Sequence, residues 1–413
     1  MSEMVKRTEI PEFGLLSGVR VVHSSVSIAG PFAAELYADY GADVIWIENP
    51  AAPCMSRSMT GNSWQQDRKN MRNISMNISR GEGKEIFLKL MEETDVFIEA
   101  SKGGQYEKWG LSDEVLWERN PRLVIVHISG FGRTGDPNYV KRPSYDPIAQ
   151  AFGGYMDMNG FPGMPSMPTN PLTADYVTAF FAFGVSIAAI MKSRETGNGE
   201  SIDLAQFELL MRTQSRYPLD FTRFGQKFTK EGSHSNYIAG YGTFTCQDKK
   251  EIYLLYLGSG VLKQGLPLMG LSYGSDEVPE GVSLLELNTP AGQKLESRIK
   301  AFCEEHTAEE AEKAFLDAGV PCSRIMSYED CMTNPQYLAR EVFTEWETGN
   351  GETIKGVNIV PKLKNYPGEI WRAAPNIGMD NEDILEEIGY SKKNIEKLYM
   401  SGVIVQKGYL DHT

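Results

Sequence analysis

Short β-rich runs and helical stretches alternate through residues 19–128, and this constrains the fold more than any other feature of the chain. Val19 to His23 is a compact β-rich run. A loop follows, then Pro31 to Tyr40 with helical character, then the strand Asp43-Val-Ile-Trp-Ile-Glu48. Together these read as a βαβ unit. Gly81 to Met91 reads as a helix that leads into the strand Val96-Phe-Ile-Glu-Ala100. Ser112 to Asn120 opens on the cap-type residues Ser112 and Glu114 and leads into the strand Leu123 to Ile128. Strands joined by helices must run parallel, and a parallel sheet is covered on both faces. The expected class is therefore α/β.

The alternation stops after Gly130. Residues 131–174 are rich in Gly, Pro, Tyr, Met and Asn, and a loop region this long inside a compact domain is usually functional. An apolar helix follows over 176–192. It is too short and too interrupted (Thr178, Gly184, Ser186) for a membrane span and is expected to be buried. Beyond a polar stretch at 217–235, short strands (241–246, 252–257) and a helix pair (293–307, 308–318) indicate a smaller α+β domain. A tail follows from 331. Two domains suit a chain of 413 residues.

The formal charge of −14 gives the chain no electrostatic reason to bind nucleic acid or an anionic membrane. An anionic ligand would have to be met by local Lys, Arg and backbone N–H groups. Five cysteines, at 54, 246, 303, 322 and 331, form no CxxC and no metal-ligand spacing with histidine, which points to free thiols in a reducing cytoplasm. Residues 1–14 are polar and carry no signal-peptide pattern.

Several chemistries fail on their motifs. The first turn, Ser24 to Pro31, has one glycine and no GxGxxG, so NAD is not expected; no GxxxxGK[ST] occurs, so ATP is not expected either. Gly270-Leu-Ser-Tyr-Gly274 has the letters of a nucleophile elbow but lacks the preceding strand, and reads as a turn. With five scattered histidines, no metal is expected. What remains is carboxylate chemistry. Asp175 stands where the irregular loop gives way to the apolar helix. It can be the helix N-cap, or a nucleophile, and the local sequence leaves both open. Lys102 follows a strand end, where open α/β sheets bind ligands. Gly258-Ser-Gly260 also follows a strand, as a lid or a turn. Arg133, Lys141 and Arg142 are the other candidate anion partners, and His23 and His127 read as core histidines.

An ordered set of short motifs then resembles one family. The set is Ala29-Gly-Pro31, Gly41 to Glu48, Ser101-Lys-Gly103, Gly110 to Trp117, Asn120 to Val124, Ser129 to Gly132, Thr134 to Pro137, Tyr145-Asp146, Ala149 to Tyr155, Thr173-Ala-Asp-Tyr176, Glu195 to Asp203 and Gly378-Met-Asp380. The chain resembles the class III CoA-transferases, carnitine and bile-acid branch, from about Pro11 to Ile404. The resemblance implies a Rossmann-like large domain (1–225, with 331–413 returning to it), an inserted small α+β domain (226–330), and a homodimer of interlocked rings. It implies CoA as co-substrate, an acyl-CoA and a small carboxylic acid as reactants, and Asp175 as the group that carries the acyl unit. CoA contacts are implied for Lys102, Lys108, Arg72, Asn70, Ala29, Tyr145, Gly258 and Gly260, and Trp109 offers a ring for adenine. Backbone N–H groups near Asp175 and near Gly258–Gly260 would hold oxyanions. Ile28 replaces a family glutamine, which argues against oxalate or formate. Two alternatives stay open. An acyl-CoA racemase shares the fold but uses a histidine where this chain has Tyr145, and a non-catalytic CoA binder would not need Asp175.

Overall fold

The computed structural model describes residues 7–59 and 63–408. Part of the polar N-terminal stretch at 1–14 therefore lies outside the described residues. The chain forms two compact units. One contains residues 1–155, 168–224 and 340–413; the other contains 156–167 and 225–339. The small domain expected over 226–330 thus begins at Gly225, runs on to Ala339, and includes twelve residues from the long loop.

The larger unit is built on six parallel strands: β1 (Arg20–His23), β2 (Asp43–Glu48), β3 (Arg72–Ser75), β4 (Val96–Ala100), β5 (Val124–Ser129) and β6 (Ser201–Ala205). Their order is β3-β2-β1-β4-β5-β6. Pairing is in parallel register throughout, for example Val21 with Val44 on one side and with Val96 on the other. The order reverses between β1 and β4, and the loops beyond the carboxyl ends of such strands splay apart to leave a crevice.

Alternate side chains of the same strands supply two cores. One face buries Val22, Ile45, Ile74, Phe97 and Ile125 against α2 (Gly81–Met91), α3 (Asp113–Arg119) and the C-terminal helices Asn381–Glu387 and Lys392–Met400. Residues as far apart in the chain as Val22 and Ile404 therefore share one core. The other face buries Val21, Val44, Ile98 and Val126 against α1 (Ala29–Ala38) and α5 (Thr173–Thr196). Strands covered on both sides carry apolar residues at consecutive positions, such as Val44 to Ile47 and Val96 to Ile98, which is why four of the six are visible in the first 128 residues.

Three differences from the sequence reading stand out. The strand β3 starts at the last residue of the basic stretch 68–72, and that residue, Arg72, is fully buried. The long loop holds α4 (Asp146–Phe152) and shorter helical turns. The apolar helix α5 begins at Thr173, so Asp175 lies inside its first turn and is not the N-cap; Leu172 holds that position without a side-chain bond. Among the described residues α5 is long and apolar enough to cross a membrane. It is nevertheless not buried all round. Thr178, Ala182, Ser186 and Ile190 face the core, while Phe180, Phe181, Val185 and Met191 are exposed.

The smaller unit holds the antiparallel strands β7 (Tyr241–Thr245), β8 (Glu251–Leu255) and β9 (Cys322–Arg324). Helices Pro290–Glu305 and Ala308–Asp317 pack on them through Leu295, Ile299 and Phe315. Thr307 and Glu310 form a reciprocal cap that starts the second helix.

Candidate functional site

The crevice predicted by the strand order is present. A cleft of about 230 Å3 opens at the carboxyl ends of β1, β4 and β5. Val26, Ser27 and Ala29 line it after β1, Ser101 and Lys102 after β4, and Ser129 to Phe131 at β5. Arg142, Tyr145, Asp175 and Gln206 complete the wall. The volume is below the roughly 300–1,000 Å3 of pockets that enclose a drug-sized ligand. The cleft can seat one end of a larger molecule.

The cap assignment decides what Asp175 can do. The start of α5 leaves backbone N–H groups without partners inside the helix. Asp146, at the start of α4, takes them: its Oδ2 accepts from the Asp175 N–H at 3.0 Å, and the Ala174 N–H also donates to it. Gln150, one turn along α4, donates to Asp146 Oδ1 at 2.5 Å and accepts from the Thr169 N–H at 2.9 Å, which ties the loop to the cap. Thr173 bonds the turn itself, donating to the Pro171 carbonyl at 3.0 Å. With the helix capped from outside, the Asp175 carboxylate is free of that task. The helix-start N–H groups expected to hold an oxyanion are correspondingly occupied.

The Asp175 side chain is 7% exposed and accepts one side-chain hydrogen bond, from Gln206 Nε2 at 2.7 Å. Gln206 opens α6 (Gln206–Thr213) directly after β6. Burial, and then the charge of Asp146, push the Asp175 carboxyl up to about 6, against the lowering effect of the Gln206 bond. Asp146 is itself raised by burial, against the hydrogen bonds it accepts. Two carboxylates this close disfavour simultaneous ionisation. A buried carboxyl that titrates near neutrality, at the mouth of a cleft, is poised for chemistry rather than for surface solvation.

The other expected residues divide into three groups. Ala29, Lys102 and Tyr145 meet Asp175 in the cleft; Lys102 is exposed there, and Tyr145 is 58% exposed. Arg142 joins them, its guanidinium stacked on Tyr139 at 3.9 Å. A second group is committed within the fold. Arg72 binds Asp43 at 2.9–3.0 Å and Glu387 at 2.6 Å, in a buried cluster that also contains Arg20. Burial would raise the Asp43 carboxyl, but Arg72 and Arg20 outweigh it and hold the group below its ordinary value. With four of its five N–H donors on Asp43 and Glu387 and its side chain 1% exposed, Arg72 is not available to a nucleotide. Asn70 likewise holds backbone, donating to the Glu369 carbonyl and accepting from the Trp371 and Arg372 N–H groups. Trp109 packs against the core, edge-on to Tyr106 at 5.1 Å. Arg133 is tied to Asp113 and Glu107. Lys108 is exposed at the end of the turn Gln105–Lys108 and does not line the cleft.

The third group belongs to the smaller unit. Gly258 has a φ of +103° and precedes the helix Ser259–Gly265, with its N–H bonded to the Ser283 carbonyl at 2.7 Å. A Cβ at Gly260 would meet open space. Sequence reasoning missed Gln206 altogether. Its only local signal is a polar side chain at a strand-to-helix junction.

Solved structures share this fold. A CAIB/BAIF family protein from Brucella suis is similar at 23% identity and a TM-score of 0.77, over 91% of this chain and all of its own. Rv3272 from M. tuberculosis is similar at 17% identity and a TM-score of 0.74, over 92% of this chain and 99% of its own. The model of CoA-transferase family III matches residues 16–381, which include the cleft, Asp175 and Gln206. The chain therefore belongs to CoA-transferase family III, enzymes that move CoA between an acyl-CoA and a free carboxylate.

Proposed function

We propose that Asp175 is the nucleophile of a CoA transfer that passes through covalent aspartyl intermediates. The observation that carries this reading is the freed Asp175 carboxylate, capped away from its helix by Asp146 and held toward the cleft by Gln206. Its carboxylate attacks the thioester carbonyl of the donor. The C–S bond breaks, leaving a mixed anhydride and CoA thiolate. The thiolate attacks the aspartyl carbonyl, releasing the donor acid and leaving an aspartyl-CoA thioester. The acceptor carboxylate repeats these steps in reverse. Each displacement exchanges one activated acyl bond for another, so one hard step becomes several easier ones. Gln206 Nε2 stands where negative charge builds on the aspartyl carbonyl oxygen and serves as its oxyanion donor. Lys102 and Arg142 meet the anionic parts of CoA, and Tyr145 and Ala29 shape the walls.

The substrate is an organic acid of the carnitine or γ-butyrobetaine type, with a bile-acid type as the second choice. Tyr176, which packs edge-on against Phe32 at 4.9 Å, offers an aromatic face beside Asp175 for a quaternary ammonium group. The enzyme acts as a homodimer. The exposed apolar face of α5, with Phe180, Phe181 and Val185, is the kind of surface a partner subunit covers.

Acyl exchange tests the reading. The protein is mixed with γ-butyrobetainyl-CoA or a bile-acyl-CoA and a panel of free acids, and new thioesters are read by mass spectrometry. New acyl-CoA without ATP, absent from Asp175→Ala, is the expected result. CoA binding without exchange would point to a non-catalytic binder, and inversion at the α-carbon to a racemase.

A further inference from the structure

Ser101 lines the cleft at the end of β4, but its hydroxyl hydrogen points away into the protein. Its Oγ donates to Glu99 Oε2 at 2.5 Å. Glu99 Oε1 lies 2.6 Å from His127 Nδ1, and His127 Nε2 lies 3.0 Å from Asp113 Oδ1. The far end is closed by the Ser201 hydroxyl at 2.5 Å and the Arg133 guanidinium at 3.1 Å, both donating to Asp113 Oδ2. Glu99 and His127 are 3% and 2% exposed. Burial pushes the His127 imidazole down, but its hydrogen bonds to Asp113 and Glu99, and their charges, outweigh this and leave it above its ordinary value. Each ring nitrogen faces a carboxylate oxygen, which only accepts, so both donate.

This chain has a fixed polarity. The Glu99 carboxylate has no hydrogen to give, so Ser101 must be the donor between them. The Ser101 oxygen then has only lone pairs left to offer the cleft. A phosphate also only accepts at such a contact and gains nothing from it. An N–H group does gain. Lys102, next along the chain, has the opposite sense, with donors only. CoA has both kinds of partner: its phosphates accept, and its pantetheine arm carries amide N–H groups.

We propose that Ser101 is a pantetheine-binding residue, an acceptor for an amide N–H of the CoA arm, with its polarity set by the buried Glu99–His127–Asp113 relay. The inference rests on reading the cleft as the CoA site. It goes further by assigning adjacent residues to different parts of the ligand.

The test is binding of CoA by calorimetry, with pantetheine measured as a competitor, for the wild type, three single variants and one double variant. Ser101→Ala should weaken CoA and pantetheine by the same factor, about fivefold, the scale of one neutral hydrogen bond. Lys102→Ala should weaken CoA and leave pantetheine unchanged. Glu99→Gln keeps size and shape but turns its carbonyl to the imidazolium and its NH2 to Ser101, which reverses the serine. It should weaken CoA as much as Ser101→Ala does, and add nothing in the Ser101→Ala background. An unchanged affinity in Ser101→Ala overturns the proposal, and so does a loss for CoA that pantetheine does not share. Independent, multiplying effects of Glu99→Gln and Ser101→Ala would reduce the relay to a structural brace. Failure of the wild type to bind CoA at all would instead overturn the reading of the cleft, a separate result.

Discussion

Replacing Asp175 by asparagine should make the protein inactive and more stable. Folding places this carboxyl where its ionised form is disfavoured, raising it from 3.8 to about 6. The sign follows from linkage. Below the unfolded value the group is protonated in both states and costs nothing. Above about 6 it is ionised in both, and the folded state carries the whole penalty. The shift corresponds to about 3 kcal/mol at pH 8, falling to about half of that at pH 5. Asparagine removes the charge, and its carbonyl still accepts from Gln206, so that bond survives. For a unit the size of the larger one, about 3 kcal/mol corresponds to roughly 5 °C in Tm. The assay is denaturant or thermal unfolding of both proteins across pH 5–8. A gain that shrinks toward acid is expected. A destabilised variant, or a gain independent of pH, would refute the argument that buried charge at Asp175 is stored strain.

Other consequences follow from the same geometry. The rate of exchange at low substrate should fall as pH drops through about 6, because only the ionised carboxylate attacks; the pH profile of kcat/KM checks this, and a flat profile to pH 5 would contradict it. Gln206→Leu removes the bond that holds the Asp175 carboxyl down, so the acid limb should move to higher pH, and kcat should fall about 100-fold through loss of the oxyanion donor. Arg72→Ala removes one of the two buried guanidinium groups that Asp43 and Glu387 share, leaving the Arg20 guanidinium to face both acids, and should cost about 3 kcal/mol in unfolding experiments, while the KM for acyl-CoA of the protein that remains folded stays within twofold.

The fold was legible where burial is two-sided. β1, β2, β4 and β5 announce themselves because strands covered on both faces carry apolar residues at consecutive positions, as in Val21-Val22, Val44 to Ile47, Val96 to Ile98 and Val124 to Val126. β3 was hidden because Arg72 opens it, and the acids that neutralise Arg72 sit at Asp43 and Glu387, remote in the chain. The same distance explains the misplaced start of α5. Local sequence makes Asp175 the natural cap, yet Asp146 does that work from another helix, 29 residues away. Asp175 was found from its position between loop and helix. Gln206, 31 residues further on, carries no local mark of its contact with it. Lys102 and Arg72 are both implied as CoA contacts by the family resemblance. One stands at the carboxyl end of β4, beside the cleft. The other opens β3 at the opposite end of the sheet, among acids that complete its bonding.

The covalent role of Asp175 is the central claim, and trapping tests it most directly. The protein is incubated with an acyl-CoA it exchanges, reduced with borohydride, and mapped by peptide mass spectrometry. An aspartyl thioester is reduced to homoserine, so the account predicts that conversion at Asp175 alone, dependent on acyl-CoA and suppressed by excess acceptor acid. Exchange that proceeds at full rate with Asp175 unmodified, or with the mark on another residue, would contradict it.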